Sequence, residues 1–178
     1  MAGAENQQER PSQRPATVPI EAVPIARGYF LSGFALGEAS FMIVCRRRGD
    51  YITKWKISAA FNVSQNDRAP LELFMETLGC GSIRKAGNNG WYWEVNRLSD
   101  IQSIVVPFFD RFSLVGTKAR DFRSFKRAVE ILSLGKLDES GLVAVLDLRE
   151  QMNNGGKRKY TREGILRDYT PGSASILT

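Results

Sequence analysis

Between Tyr29 and Cys45 the chain runs almost without a polar side chain, and the spacing of its apolar residues changes partway along. From Gly28 to about Ala39 small and large apolar residues cover most of a helical surface, whereas from Ser40 onward they alternate as in a strand. A buried helix therefore passes directly into a strand. In that strand Phe41, Ile43 and Cys45 share one face, and Met42, Val44, Arg46 and Arg48 share the other. The apolar run is shorter than the ~20 residues a membrane span needs and carries Glu38 at its centre, which argues against a membrane partner.

Tyr51 to Asn62 repeats the alternation, with Trp55, Ile57, Ala59 and Phe61 set against Lys54, Lys56, Ser58 and Asn62. Gly49-Asp50 between the two runs predicts a hairpin. A helix is expected from Pro70 to Leu78, started by Asp67 or a neighbour and stopped by Gly79. Short strands follow near Ser82 to Lys85 and Trp91 to Asn96, joined by Gly87-Asn88-Asn89-Gly90. Trp91 and Trp93 share a face, and the pattern leaves open which one. Ser99 is placed to cap a helix carrying Ile101, Ile104 and Val105. Thr117 to Leu134 is amphipathic, and Glu139 to Met152 completes the helical pattern. The order αββαββα implies an α+β fold with one concave antiparallel four-stranded sheet covered by helices on one face. Residues 1–27 hold four of the seven prolines (Pro11, Pro15, Pro19, Pro24) and read as a disordered or extended leader. The single folded domain is then 28–154, and 155–178 is a basic flexible segment opening on Gly155-Gly156-Lys157-Arg158-Lys159.

Composition limits the chemistry. The chain has no histidine and two cysteines, so it cannot run a Ser-His-Asp or Cys-His triad, nor complete a zinc site from His or Cys alone. Catalysis here would rest on carboxylates, lysine, hydroxyls or a metal held by oxygen. Cys45 and Cys80 lie in apolar surroundings and read as buried, reduced thiols of an intracellular protein. With 25 Lys+Arg against 19 Asp+Glu, the net charge of +6 suggests a polyanion partner, nucleic acid before membrane.

Gly33-Phe34-Ala35-Leu36-Gly37 has G-x-x-x-G spacing, a flat stripe that lets a second helix approach closely and that Ser32 and Ala35 extend. Close packing inside the domain would use the same stripe. Glu38 follows immediately, at a helix C-terminus that is already negative, so a positive group should offset it. An arginine in a salt bridge would serve, and so would a divalent metal ion.

Leu31-Ser32-Gly33-Phe34-Ala35-Leu36-Gly37-Glu38-Ala39-Ser40-Phe41 resembles the signature of the LAGLIDADG homing endonucleases. Phe61-Asn62-Val63-Ser64-Gln65, the stretch from Pro107-Phe108 to Lys118-Ala119-Arg120-Asp121-Phe122, and Met152-Asn153 with Lys157-Arg158 extend the likeness over roughly Gly28 to Lys159. The resemblance implies a saddle-shaped sheet and signature helices that form a dimer interface. A single copy of the motif implies a homodimer on a near-palindromic double-stranded DNA target. It assigns Glu38 as the essential acid, the Gly37 carbonyl as a further ligand of a magnesium ion, Gln65 as the organiser of solvent at the scissile phosphate, and Lys118 as the active-site lysine. Ser32, Gly33, Leu36 and Gly37 would form the interface. Leu36 stands where the family commonly has Asp, and Ala39 where Gly is usual, which would strain the backbone if a glycine conformation is needed there.

For DNA readout the polar sheet face supplies Met42, Val44, Arg46, Arg48, Lys54, Lys56, Ser58 and Asn62, joined by Arg84 from the third strand. Lys157, Arg158 and Lys159 would contact phosphates. The function implied is metal-dependent, site-specific DNA cleavage by an intron- or mobile-element-encoded enzyme. The alternatives are a non-cleaving binder, either a maturase for the host intron RNA or a repressor, and an unrelated α+β protein in which Glu38 is a buried salt bridge and the glycines are core packing.

Overall fold

The computed structural model describes residues 19–51, 53–87, 90–156 and 158–169. Helix α1 (Ile25–Glu38) ends because Ala39 turns extended, with φ −95° and ψ 154°, while its N–H closes the last helical bond to the Ala35 carbonyl. Strand β1 (Ala39–Arg47) begins at that same residue. The expected passage from helix to strand is therefore present without a connecting loop. Gly28, Leu31, Ser32 and Ala35 are the buried residues of α1. Gly28 is required there, since a Cβ would stand 2.2 Å from the Phe112 ring.

Strand β2 (Trp55–Gln65) pairs antiparallel with β1, Ala39 opposite Val63 and Arg47 opposite Trp55. Helix α2 (Ala69–Leu78) starts where the Asp67 carboxylate accepts the Ala69 N–H at 3.0 Å, and stops at Gly79 in the left-handed region, φ 63°. Strands β3 (Ser82–Ala86) and β4 (Gly90–Val95) complete a four-stranded antiparallel sheet of order β1-β2-β4-β3. Residues 88–89 of the expected Gly-Asn-Asn-Gly turn lie outside the described residues.

Short α3 (Leu98–Asp100), a π-helical turn at Ile101–Val105 and α4 (Val106–Arg111) follow one another. The two long helices, α5 (Gly116–Ser133) and α6 (Glu139–Gln151), pack against the sheet, and α7 (Arg162–Asp168) packs on α6. Between sheet and helices Phe41 is wholly buried, its ring centroid 4.8 Å from Phe61, 5.1 Å from Phe125 and 5.4 Å from Phe109. Trp93 belongs to the same layer. It stacks on Phe74 at 5.3 Å and donates its Nε1–H to the Cys80 carbonyl at 2.9 Å, which satisfies the indole while hiding its rings. Both tryptophans of β4 therefore point to the helix side. Cys45 and Cys80 are both buried, as their surroundings suggested.

Several boundaries differ from expectation. The hairpin is not closed tightly at Gly49-Asp50: β1 stops at Arg47 and β2 starts at Trp55, and Lys54 between them takes φ 59°. Ser99 does not cap its helix, which begins at Leu98 after Arg97 with no side-chain cap. Part of the expected leader is packed: Ile20 and Val23 are buried, and the Ile20 carbonyl accepts from Arg111. The segment expected to be flexible after 154 contains α7, capped by the Thr161 hydroxyl accepting the Gly164 N–H at 3.1 Å and anchored by the fully buried Ile165. Residues 1–18, Lys157 and 170–178 lie outside the described residues.

Candidate active site and nucleic-acid interface

The strand registers set the content of the open sheet face. Arg46 lies opposite Lys56, Val44 opposite Ser58 and Met42 opposite Ala60. One row then crosses all four strands, Ser40–Asn62–Glu94–Ser82, and Ser64–Tyr92–Arg84 forms the next. Of the expected readout residues, Met42, Val44, Arg46, Lys56, Ser58, Asn62 and Arg84 are on this face. Ser40, Ser64, Tyr92 and Glu94 join them; Tyr92 and Glu94 were missed because placing β4 requires the phase of its tryptophans.

Other expected contacts are placed differently. Arg48 lies past the end of β1, where its guanidinium makes a two-point pair with the Asp50 carboxylate at 2.8 and 2.6 Å and stands 5.3 Å from the centre of the Tyr51 ring. That pairing holds the Asp50 carboxyl down at about 2. Lys54 sits in the same loop rather than on the sheet. Arg158 is committed to the fold: its guanidinium donates to the Arg149 carbonyl and, at 3.0 Å, to the Met152 carbonyl, closing the C-terminal end of α6. It is thus a capping residue rather than a free phosphate contact. Lys157 lies outside the described residues. Arg46, Arg47, Arg149, Arg158 and Lys159 line a groove of about 560 Å³ beside β1, although Arg149 is itself occupied by Glu150 and the Tyr160 carbonyl.

At the opposite end of β1 stands the acid. Glu38 is exposed, and no described residue forms an ion pair or hydrogen bond with it. The buried salt bridge is therefore not what this residue makes. Gly37 is in the last turn, beyond Ala35, the final helical acceptor, so its carbonyl has no partner within the helix. Ala39 is extended, and alanine there carries no glycine-type strain. Lys118, in the first turn of α5, reaches back and donates Nζ to the Ala39 carbonyl at 2.5 Å. Asn153, just past α6, donates Nδ2 to the Phe41 carbonyl at 3.0 Å, and its N–H goes to the buried Asp121 carboxylate at 3.0 Å. The acid-bearing end of β1 is thus held by side chains from two other elements. Gln65 lies two residues past Val63, the partner of Ala39, and so at the same end of the sheet. Its Oε1 accepts the Asn66 N–H at 2.7 Å.

The outer side of α1 is apolar, and the described residues leave it exposed. Tyr29 and Phe30 are each 55% exposed and Leu36 37%. A Cβ added at Gly33 or Gly37 would meet nothing within 4 Å, so packing among the described residues requires neither glycine. Ser32 does not belong to this side. It is buried, and its hydroxyl donates to the Phe112 carbonyl at 2.8 Å. Ala35 is likewise fully buried.

These features define a class: an α+β protein with one helix-covered and one open sheet face, and an apolar helix that ends in an exposed acid at the sheet's edge. The family model for LAGLIDADG endonuclease matches residues 31–129, more than half of the chain, and the chain belongs to that family. In structure it is similar to the I-SmaMI LAGLIDADG homing endonuclease bound to cleaved DNA, with TM-score 0.72 and 27% identity over 85% of this chain and 51% of the other. It is similar also to the archaeal intron-encoded homing endonuclease I-Vdi141I complexed with DNA, TM-score 0.72 and 27% identity over 80% of this chain and 93% of the other. In sequence it is 29% identical over 129 residues to probable intron-encoded endonuclease 2 of Neurospora crassa, covering 70% of this chain and 27% of that protein. With probable intron-encoded DNA endonuclease 1 of Mycosarcoma maydis it shares 26% over 143 residues, 78% of this chain and 51% of that one. The chain spans about a quarter to a half of these two fungal relatives.

Proposed function

We propose that the protein is a site-specific endonuclease for double-stranded DNA, encoded in an intron or similar mobile element and acting inside the cell as a homodimer on a near-palindromic target. The observation that carries this reading is Glu38, exposed and paired with no described residue, at the end of a helix whose outer side is apolar and lined by Gly33 and Gly37. Burying that side against a second α1 would place two Glu38 carboxylates near each other, and like charges so placed need a cation between them. The interface would use Gly33, Leu36 and Gly37, with Tyr29 and Phe30 flanking them.

The donors suit magnesium, a hard ion that takes oxygen ligands: the Glu38 carboxylate and the Gly37 carbonyl. One chain supplies too few, since among the described residues no three acidic, cysteine or histidine side chains gather into a metal site. A second copy of Glu38 would add the missing charge. When bound, magnesium supplies a polarised scissile phosphate and an activated water. Lys118 spends one of three ammonium protons on Ala39 and can offer the others to negative charge developing on the phosphate. Gln65 would orient solvent from the same end of the sheet. Arg46, Lys56, Asn62 and Arg84 would meet base edges in the major groove, with Met42 and Val44 against thymine methyl groups.

The decisive experiment pairs the parent with Glu38→Gln, assayed on intronless alleles of the gene that carries the reading frame. The variant should keep specific binding and its melting temperature, since no described residue leans on this carboxylate, and should lose cleavage in magnesium. Cleavage undiminished in the variant would remove Glu38 from the mechanism. Binding of the host intron RNA with stimulation of its splicing, and no DNA cleavage by the parent, would favour the maturase reading.

A further inference from the structure

The geometry points to Glu94 as a base-reading residue that selects a cytosine in the target, an inference that rests on the DNA-binding reading above. Among the described residues Glu94 is the one acidic side chain on the open face of the sheet, whose other charged members are Arg46, Lys56 and Arg84. A carboxylate on a surface that meets phosphates lowers general affinity, and glutamate is a poor strand former. Its position therefore calls for a compensating interaction, and the fold does not supply a strong one. No described residue forms an ion pair with Glu94, and its side chain is met by the Asn96 amide, whose Nδ2 donates to Oε2 at 3.3 Å. That contact steadies one oxygen and leaves Oε1 to a ligand.

The register says where the free oxygen acts. Glu94 lies directly opposite Asn62 on β2 and Ser82 on β3, in the row that also contains Ser40. Directly opposed side chains in a sheet have Cβ atoms about 5 Å apart, so Glu94 and Asn62 can reach the same or adjacent base pairs. Arg84 sits one row away, diagonal to Glu94. In the major groove the exocyclic amine of cytosine is a lone donor, which an ionised carboxylate accepts from. Guanine presents two acceptors at the corresponding edge, and a carboxylate there faces repulsion. Thymine offers no amine. Glu94 therefore rejects guanine and thymine as well as choosing cytosine, while Arg84 and Asn62 carry the acceptors' complements on either side.

The test is selection from a library of duplexes randomised across the length of the sheet, with magnesium withheld so that binding alone is read, for the parent and for Glu94→Gln. Gln keeps the size, loses the charge and gains a donor, the combination that suits adenine. The parent should enrich cytosine at one position in each half-site by about tenfold to a hundredfold over guanine or thymine. In the variant that enrichment should collapse or move to adenine, with every other position unchanged and the melting temperature retained. Superimposable profiles would overturn the assignment, as would a variant that binds every duplex more tightly by one common factor, since that marks simple repulsion. A parent that enriches nothing and binds no duplex would overturn it together with the DNA-binding reading, whereas a parent with a clear site and an unmoved variant overturns Glu94 alone.

Discussion

Lys118 donates its ammonium to the carbonyl of Ala39 at 2.5 Å, and Ala39 is the residue that follows Glu38. The contact joins the start of α5 to the helix-to-strand junction and sets a positive charge beside the acid. It accounts for how a lysine eighty residues further along the chain is brought to the end of α1. Replacing Lys118 by Met should lower the cleavage rate by about 10²- to 10³-fold, the usual effect of removing one donor from a developing anion. The Ala39 carbonyl would lose its partner at a cost of about 1 kcal/mol in stability. Single-turnover cleavage and urea unfolding separate the two effects. A variant with the parent's rate would remove Lys118 from the mechanism.

Gly28 and Gly33 lie in one helix and should answer to substitution in opposite ways. Alanine at Gly28 drives a Cβ into Phe112, so the monomer itself should melt earlier. At Gly33 there is open space, and alanine in a helix interior gains roughly 0.5–1 kcal/mol over glycine. Gly33→Leu should therefore leave the circular dichroism of the chain intact while abolishing the dimer in sedimentation equilibrium at micromolar concentration. A Gly33→Leu protein that sediments as the parent does would place the interface elsewhere.

Periodicity made the α1–β1 junction and the core side of β1 legible, since Phe41, Ile43 and Cys45 are buried as their alternation requires. The same reasoning failed where the determining contact is distant in sequence. Arg158 lies in a basic run that looks like a tail, and only the folded chain brings its guanidinium onto the carbonyls that end α6. Lys54 at φ 59° has no local signal, because lysine does not favour that conformation. Ser32 was drawn into the small-residue stripe by its size, yet neighbours on a helix are turned by about 100° from one another, and that turn carries it to the buried side. Glu94 became visible only when Trp93 fixed the phase of β4.

Arg48 is held in the β1–β2 loop by its two-point pair with Asp50. The carboxyl of Asp50 lies at about 2, below the ~3.9 of an unfolded chain, so whatever the pair contributes is present above that unfolded value and is lost as pH falls through about 2. The lock is accordingly closed throughout the neutral range. Asp50→Asn should free the guanidinium for a phosphate, tightening binding at low salt and steepening the log–log salt dependence by about 0.9 per protomer. Affinity measured by fluorescence anisotropy across a salt series checks this. An unchanged slope would mean that the loop stays clear of the duplex.

Through Asn153, two residues past α6, Asp121 is tied to the edge of the sheet. Asp121 is 4% exposed and accepts the Asn153 N–H, while the Asn153 side chain donates to the Phe41 carbonyl on β1. Asp121→Ala would leave that N–H without its acceptor in a buried setting, at a cost of about 1–3 kcal/mol. Asp121→Asn retains an acceptor oxygen and should lose less. Asn153 and Lys118 hold neighbouring carbonyls of one strand, so loosening Asn153 should also disturb the position of Glu38. Asp121→Ala should then lower the cleavage rate at temperatures well below its melting point, and Asp121→Asn should restore most of it. If unfolding in urea shifts as stated while cleavage by the folded variant equals the parent's, the clamp serves stability alone.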